Sequence, residues 1–170
     1  RGLDAVVVHP GGCLGPYDFG PSAMGEVLLE VRERKVPAAV RGRVNWVDTR
    51  DVAAGAIAAA ERGRTGESYL LIGPWRSIGD VLRVAAEVAG VAPPRLELPM
   101  TLAHLAIPFE RARARLRRKE PKFTRDSLAA LSGKARLSCA KARRELGFTT
   151  RPLVDTIRES YAWFDAQGQA

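Results

Sequence analysis

Residues Leu3–Asp18 read LDAVVVHPGGCLGPYD, a short apolar run that ends at a proline and continues into a glycine-rich loop. The run Ala5–Val8 is rich in β-branched residues, which predicts a strand buried on both faces. Strands of this kind belong to parallel sheets between helices, and the loop at their carboxyl end is the usual place for a ligand. The glycines of the loop Gly11–Gly15 allow its main chain to approach a flat ligand closely. A tight structural turn explains the same residues equally well, so both interpretations stay open.

A second apolar run, Tyr69–Ile72, ends in a similar way at Gly73 and Pro74. A strand, a long excursion with helices and a second strand form the pattern of a parallel crossover, so the two apolar runs are predicted neighbours in one sheet. Two strands do not form a stable sheet alone. Because the chain opens almost at once with a strand that is predicted to be buried, we expect the remaining strands to come from an N-terminal part of a longer protein.

The composition fits one domain with a real core, since 46% of the 170 residues are hydrophobic. The two cysteines, Cys13 and Cys139, are too few and too far apart for a disulfide framework, and they indicate a reducing, cytoplasmic environment. No apolar run approaches the roughly 20 residues of a membrane span, and no Cys/His cluster has the spacing of a zinc site. We therefore expect neither membrane association nor a bound metal.

The net charge of +8 raises the question of nucleic-acid binding. The densest basic run, Arg111–Lys119, is typical of a solvated helix face, and phosphate binding is the alternative. Aromatic residues are sparse in this run, and neither a stacking platform nor a recognition-helix signature accompanies it. Nucleic acid is therefore not a predicted partner.

Helix starts can be located from capping residues. Ser22 is predicted to cap a helix with one apolar face, and a ligand phosphate is the alternative partner of its hydroxyl. Asp48 follows a short predicted strand, Arg43–Val47, and is predicted to cap the next helix, with Asp51 reaching back as in a capping box. Paired catalytic carboxylates are the alternative, but capping explains both acids with fewer assumptions.

The rest of the chain is predicted to be mostly helical. Ser77 and Asp80 have the spacing of a capping box at the start of a helix. The segment Leu96–Pro99 alternates like a brief edge strand, and an apolar stripe with helical spacing follows over Leu102–Phe109. A last helix with one apolar stripe is predicted over Leu153–Phe164.

The chain carries no complete catalytic machinery for hydride transfer. A dinucleotide-binding fingerprint has the form G-x-G-x-x-G between a strand and a helix, and the glycines between Gly11 and Gly20 do not have that spacing. The acid/base pair of such enzymes, a tyrosine with a lysine four residues later, is absent after Tyr17, Tyr69 and Tyr161. No catalytic residue is therefore assigned within this chain.

Five series of residues belong together: GLDAVVVHPGGCLGPYD from Gly2, GRVNWVDTRDVAAGAIAAAERGRTGESYLLIG from Gly42, RLELP from Arg95, SCAKARRELGF from Ser138 and RPLVDTIRESYAWF from Arg151. They resemble the C-terminal half of an extended short-chain dehydrogenase/reductase, of the NAD-dependent epimerase/dehydratase family. Within that family the chain is most similar to the dihydroflavonol-reductase-like group and to the hopanoid-associated sugar epimerases. The resemblance covers nearly all of the chain in the right order and is weakest from Thr101 to Leu137.

The resemblance implies an α/β fold, namely the C-terminal part of a doubly wound Rossmann-like parallel sheet together with a small, mainly helical substrate-binding domain. Residues 1–20 and 66–76 would supply the last strands and the ligand loop of the dinucleotide-binding sheet. Residues 21–47 and 77–170 would form mostly the substrate domain and the C-terminal helices.

The resemblance also implies two sets of site residues. The residues next to the cofactor would be Pro10, Gly11, Gly12 and Cys13, against the nicotinamide ring, and Ser22, near the phosphates. The residues that border the substrate cleft would be Tyr17, Asp18, Arg43 and Trp46.

The activity that the resemblance implies for the intact protein is that of an NAD(P)-dependent oxidoreductase or epimerase. Its cofactor would be NAD or NADP, and a hydride would move between the nicotinamide and a carbinol carbon. The substrate would be a nucleotide sugar, a flavonoid-like ketone or a sterol-like alcohol. The catalytic tyrosine and lysine would lie in the N-terminal half, so we expect this chain alone to be inactive.

The expected partners are the N-terminal half, the small-molecule substrate and a second copy in a homodimer. The alternative of a different class is a dinucleotide-sensing protein that keeps the fold without the catalytic pair.

Overall fold

The computed structural model describes residues 2–102 and 137–169. These residues form two compact units. The first unit contains the described residues of Arg1–Pro21, Asn45–Arg76 and Ala135–Ala170, and the second contains those of Ser22–Val44 and Ser77–Lys134. The described residues after position 136 thus pack with the first unit, whereas the predicted division groups residues 77–170 mostly with the substrate domain. The predicted stripe beyond Leu102 and the basic run Arg111–Lys119 lie outside the described residues.

Strands and helices alternate along the described chain. The strands are β1 (Val7–Pro10), β2 (Gly12–Leu14), β3 (Ala38–Val40), β4 (Arg43–Asp48), β5 (Ser68–Leu71), β6 (Trp75–Ser77) and β7 (Leu96–Leu98). The helices are α1 (Ala23–Arg32), α2 (Thr49–Arg62), α3 (Ile78–Ala89), α4 (Ala140–Leu146) and α5 (Leu153–Ala166). Strand β1 pairs with β5, β2 with β4 and β3 with β7, each in parallel. This arrangement confirms the predicted α/β class with parallel strands.

The pairing of β1 with β5 confirms the two predicted neighbours, with Val7 opposite Ser68 and Pro10 opposite Leu71. The predicted burial of the first strand on both faces is wrong, because Val7 is 50% exposed whereas Tyr69 and Leu71 are fully buried. Strand β5 packs against both α2 and α4. Within the described ranges β1 pairs with no strand other than β5.

The core of the first unit lies where β5, α2 and α4 meet. Helix α2 is rich in alanine, and short side chains let its axis approach the strand closely. Helix α5 buries Ile157, Tyr161 and Phe164, which confirms its predicted apolar stripe. The buried residues of the core cluster include Val47, Ala58, Ala59, Tyr69, Leu71, Ile72, Ala142, Leu146 and Phe148.

The second unit is built on two helices and a pair of short strands. Helices α1 and α3 pack on each other, and α3 also packs on β3. The capping box at the start of α3 is confirmed, since the Ser77 hydroxyl accepts a hydrogen bond from the Asp80 N–H at 3.0 Å and the Asp80 carboxylate accepts one from the Ser77 N–H at 3.1 Å. Strand β7 is exposed along its length and forms the predicted edge strand against β3.

Within residues 2–102 and 137–169, no helix is both long enough and apolar enough to cross a membrane.

Candidate functional site

The segment Gly11–Gly15, predicted to be a loop, contains strand β2, which pairs with β4. Gly11 joins β1 to β2, and Gly15 follows β2. The Gly11 N–H donates to the Leu71 carbonyl at 3.2 Å. A Cβ atom on Gly11 would lie only 2.2 Å from the Asn45 carbonyl oxygen. Gly15 has a φ of +148°, and a Cβ there would lie 2.4 Å from the Thr49 hydroxyl oxygen. Close packing of the main chain therefore requires glycine at both positions, which is the structural interpretation that the sequence left open.

The side chains of Pro10 and Cys13 are exposed at this loop. The Cys13 thiol donates to the Gly11 carbonyl at 3.6 Å. Partial burial of its sulfur raises the pKa of Cys13, so the thiol is neutral at neutral pH. A proline ring and a neutral thiol offer an uncharged surface of the kind that a flat aromatic ring can contact. The side chains present at this loop therefore fit a nicotinamide ring.

Ser22 lies in the second unit and caps helix α1, as predicted. Its hydroxyl oxygen accepts a hydrogen bond from the Gly25 N–H at 3.1 Å. The first turn of the helix also contains the acidic residue Glu26, which complements the positive end of the helix dipole. Contact between Ser22 and a cofactor phosphate stays a prediction.

The predicted substrate residues Tyr17 and Asp18 lie in the loop that follows β2. Tyr17 is 61% exposed and has a φ of +71°, in the left-handed region. Its ring lies 4.9 Å from the ring of Trp163 in α5, measured between centroids. Phe19 is 70% exposed and lies 5.0 Å from the same indole in an edge-to-face arrangement. No role was predicted for Phe19 or Trp163 from the sequence.

The other two predicted substrate residues differ strongly in exposure. Arg43 is exposed at the start of β4, in the second unit. Trp46 is only 6% exposed, and its Nε1 has no hydrogen-bond partner. Its side chain lines a cavity of about 20 Å³, the space of about one water molecule. Trp46 therefore lies behind the surface of the first unit rather than on it.

The two acids at the start of α2 bind arginines. Asp48 caps the helix as predicted and accepts hydrogen bonds from the Arg50 backbone N–H at 2.8 Å and from its guanidinium at 2.9 and 2.7 Å. The predicted capping box is wrong for Asp51, which instead accepts two hydrogen bonds of 2.8 Å from Arg151, a hundred residues away. The guanidinium of Arg50 also binds Glu159 on α5.

The electrostatics of Asp48 follow from these contacts. Burial alone would raise the pKa of Asp48, but hydrogen bonds from Arg50 and from the Thr156 hydroxyl outweigh burial and hold the pKa below its ordinary value. Asp48 is therefore an ionised, fully paired carboxylate. This is the property of a structural anchor between α2 and the C-terminal segment, and it does not suit a general acid. In the part of the chain that the structure describes, no group of three acidic, Cys or His side chains could hold a metal ion.

Two curated relatives match almost the whole chain. Sterol demethylase protein B of Methylococcus capsulatus is 34% identical over 172 residues, which cover 99% of this chain and 52% of that protein. A putative dihydroflavonol 4-reductase of Synechocystis is 31% identical over 176 residues, which cover 99% of this chain and 50% of that protein. The chain therefore spans about half the length of the curated relatives it matches. No family model matches the sequence.

Solved structures match the fold over the same extent. The gox2253 protein superposes with a TM-score of 0.78 at 34% identity, covering 97% of this chain and 50% of that one. A nucleoside-diphosphate-sugar epimerase from Pseudomonas aeruginosa superposes with a TM-score of 0.75 at 34% identity, covering 98% and 50%. The UDP-glucuronic acid 4-epimerase of Bacillus cereus, solved with UDP-glucuronic acid and NAD, has a TM-score of 0.64 at 17% identity, covering 96% and 46%. That last match bears on the fold alone.

The parallel α/β architecture and these matches define the class of protein as one with a Rossmann-like, dinucleotide-binding type of fold. More narrowly, these matches confirm the resemblance stated from the sequence, which is to part of an extended short-chain dehydrogenase/reductase.

Proposed function

We propose that this chain is the substrate-side part of an NAD(P)-dependent oxidoreductase or epimerase. The observation that carries the proposal is the 34% identity, over nearly the whole chain, to half of a nucleoside-diphosphate-sugar epimerase of the same fold. The placement of the loop agrees with this activity, since β1 and β5 are parallel and the loop follows the carboxyl end of β1. That end of a parallel sheet is where doubly wound folds bind dinucleotides.

The proposed cofactor is NAD or NADP, with its nicotinamide ring against the segment Pro10–Cys13. When bound, the cofactor supplies a hydride acceptor or donor at the nicotinamide. Pro10 and Cys13 provide exposed, uncharged side chains for contact with a flat ring. Gly11 and Gly12 have no side chains, so the main chain between Pro10 and Cys13 leaves room for the ring. Gly11 is held in place by its close contact with β4. Ser22 is proposed to lie near the cofactor phosphates.

The proposed substrate residues are Tyr17, Asp18, Arg43 and Trp46. Tyr17 is exposed in the first unit and Arg43 is exposed in the second, as direct contact with a substrate requires. Trp46 is buried, which disfavours such a contact for its side chain. The catalytic acid/base is proposed to come from the half of the protein that this chain does not include, because no Tyr-x-x-x-Lys pair follows Tyr17, Tyr69 or Tyr161. Accordingly, the chain alone is proposed to be inactive.

The substrate classes open to the proposal are a nucleotide sugar, a flavonoid-like ketone and a sterol-like alcohol. The names of the relatives cover all three, since they are a sugar epimerase, a putative dihydroflavonol reductase and a sterol demethylase protein. The proposal includes a cytoplasmic location and a homodimer of the whole protein.

The experiment titrates the whole protein with NADH and, separately, with NADPH. Binding is measured from the change in nicotinamide fluorescence. We expect saturable binding of one of them, and we expect Cys13→Trp to weaken it at least about tenfold, because the larger side chain would fill the space of the ring. Glu61→Trp, on the exposed side of α2, is the matched control and should bind like the unmodified protein.

Absence of binding to either dinucleotide would overturn the proposal. Unchanged binding by Cys13→Trp would overturn the assignment of the nicotinamide to Pro10–Cys13. Binding without turnover of any of the three substrate classes would favour the dinucleotide-sensing alternative.

A further inference from the structure

Strands β1 and β5 are neighbours, but the strands that follow them along the chain are not. Strand β1 pairs with β5 from Val7 to Pro10. Only one residue later β2 begins, and it pairs with β4, which lies between β2 and β6. The two paired segments therefore separate, and β4 enters between them. The three residues that meet there, Gly11, Asn45 and Gly73, all belong to the first unit and are called the fork below.

Asn45 contacts both arms of the fork. A Cβ atom on Gly11 would overlap the Asn45 carbonyl oxygen, so the β4 main chain packs directly on the arm that follows β1. The Asn45 side chain reaches the other arm, where its Nδ2 donates a buried hydrogen bond of 2.8 Å to the Gly73 carbonyl. This bond joins residues that are 28 positions apart in the chain. Asn45 therefore cross-links the segments that follow β1 and β5.

The second arm is packed as closely as the first. A Cβ atom on Gly73 would overlap the Trp46 carbonyl oxygen, and the Trp46 N–H donates to the Pro74 carbonyl at 3.2 Å. Close-packed main chains transmit a displacement instead of absorbing it, because no space is left between them. A change in the position of β4 at the fork would therefore move the segment around Gly11 as well.

The amide of Asn45 is buried at a cost. The residue is 6% exposed, and its Oδ1 has no hydrogen-bond partner among the described residues. A buried acceptor without a partner is unfavourable for folding. The benefit on the other side of the same amide is the hydrogen bond from Nδ2 to Gly73. The position of the fork is therefore the feature that this side chain serves.

The fork lies at the segment to which the nicotinamide ring is assigned. Within Pro10–Cys13, Gly11 is a residue of the fork, and Gly12 is opposite Trp46 in the ladder between β2 and β4. The diphosphate of a dinucleotide is bound elsewhere in doubly wound folds, at the glycine fingerprint after the first strand. A displacement of the fork should therefore affect the nicotinamide end of the cofactor and spare the rest.

We propose that Asn45 is a positioning residue for the nicotinamide. Its amide holds β4 in the fork, and β4 in turn sets the position of the main chain at Pro10–Cys13 against the ring. Asn45 acts through this main chain and does not contact the cofactor itself, because its side chain is buried. The inference rests on the proposed function and adds to it a residue to which the sequence assigned no role.

The test measures binding of NADH and of ADP-ribose, which lacks the nicotinamide, to the whole protein by calorimetry. Asn45→Val removes the Nδ2 donor and keeps a side chain that suits a strand. Asn45→Ala removes the same donor without adding a branched side chain. We expect each variant to weaken NADH binding about tenfold and ADP-ribose binding less than about twofold, because only the ring meets the displaced main chain.

Tyr69→Phe is the matched control. It also removes a hydrogen bond within the first unit, in this case the bond of 3.0 Å from the Tyr69 hydroxyl to Glu145 on α4. This variant should lower the stability of the protein but leave the ratio of the two dissociation constants unchanged. A residue with a merely structural role should behave in the same way.

Three results would overturn the inference: equal weakening of NADH and ADP-ribose binding by the Asn45 variants, unchanged binding of NADH, or failure of both variants to fold. The unmodified protein separates the inference from the proposed function. If it binds neither NADH nor NADPH, the proposed function is contradicted. If it binds one of them and the Asn45 variants bind it equally well, only the inference is contradicted.

Discussion

Two consecutive parts of the segment Gly11–Phe19 are determined by opposite constraints. In Gly11–Gly15 the main chain presses against β4 and the start of α2, so that a single added carbon would overlap the Asn45 carbonyl or the Thr49 hydroxyl. In Tyr17–Phe19 large rings project into solvent from a strained backbone. The comparison teaches that the glycines of a ligand loop are not by themselves the sign of a ligand.

Among the predicted substitutions, Gly11→Ala in the packed part of the segment is expected to lower the free energy of unfolding the most. The new Cβ would lie 2.2 Å from a backbone oxygen of Asn45, which cannot move without distorting β4. We expect a loss of about 3 kcal/mol in the free energy of unfolding, measured by urea denaturation of the whole protein. Gly20→Ala is the control, because nothing lies within 4 Å of its Cβ position, and it should change stability by less than about 0.5 kcal/mol. Equal effects of the two substitutions would contradict the packing account.

An intermediate effect is expected at Asp48, which supports the loop from the start of α2. Asp48→Asn removes a buried carboxylate that binds Arg50, and it should cost about 2 kcal/mol at neutral pH. Because folding lowers the pKa of Asp48, its contribution is present above the ordinary value of 3.8 and is lost as the pH falls through the folded value. The difference in stability between the two proteins should therefore shrink in acid.

The measurement is urea denaturation at a series of pH values from neutral to strongly acidic. Glu61→Gln, an exposed acid on the same helix, provides the control and should follow the unmodified protein throughout. A difference between Asp48→Asn and the unmodified protein that stays constant down to the lowest pH would contradict the paired state of Asp48.

The smallest effect on stability is expected in the exposed part of the loop. Tyr17→Gly has two opposing effects on stability. Glycine adopts the left-handed backbone without strain, which stabilises the protein by about 1–2 kcal/mol. Loss of the ring contact with Trp163 destabilises it by about 0.5–1.5 kcal/mol. The net change should be below about 1 kcal/mol. Tyr17→Ala loses the same contact without the relief and should be less stable than Tyr17→Gly by about 1 kcal/mol. A glycine variant that is less stable than the alanine variant would contradict the strain at Tyr17.

Local features of the fold could be predicted from the sequence because their causes lie within a few residues. The helix caps at Ser22, Asp48 and Ser77 are of this kind, since the capping atom and the backbone N–H are three or fewer residues apart. The pairing of β1 with β5 was predictable for a different reason. Two parallel strands that are neighbours in a sheet and are connected through helices appear in the sequence as two apolar runs, each of which ends in turn residues.

Long-range contacts could not be predicted in the same way. Asp51 has the spacing of a capping box, but its partner is Arg151, and nothing in the local pattern distinguishes the two possibilities. The contact of Phe19 with Trp163 likewise joins two segments that have no common periodicity. The exposure of β1 depends on which strands lie beside it, and a local apolar run does not contain that information.

The central claim, that the nicotinamide ring lies against Pro10–Cys13, is tested most directly by the alkylation rate of Cys13 in the whole protein. Cys13 is exposed and Cys139 is buried, so one chain contains both the reporter and an internal control. Alkaline pH is used because the thiolate is the reactive form and partial desolvation of the sulfur raises the pKa of Cys13, although the residue is exposed. Peptide mass spectrometry follows each cysteine separately.

With NADH at ten times its dissociation constant, we predict that alkylation of Cys13 slows about tenfold, whereas ADP-ribose, which lacks the nicotinamide, protects much less. Alkylation of Cys139 should be slow under all conditions. An unchanged rate at Cys13 in protein saturated with NADH would contradict the claim.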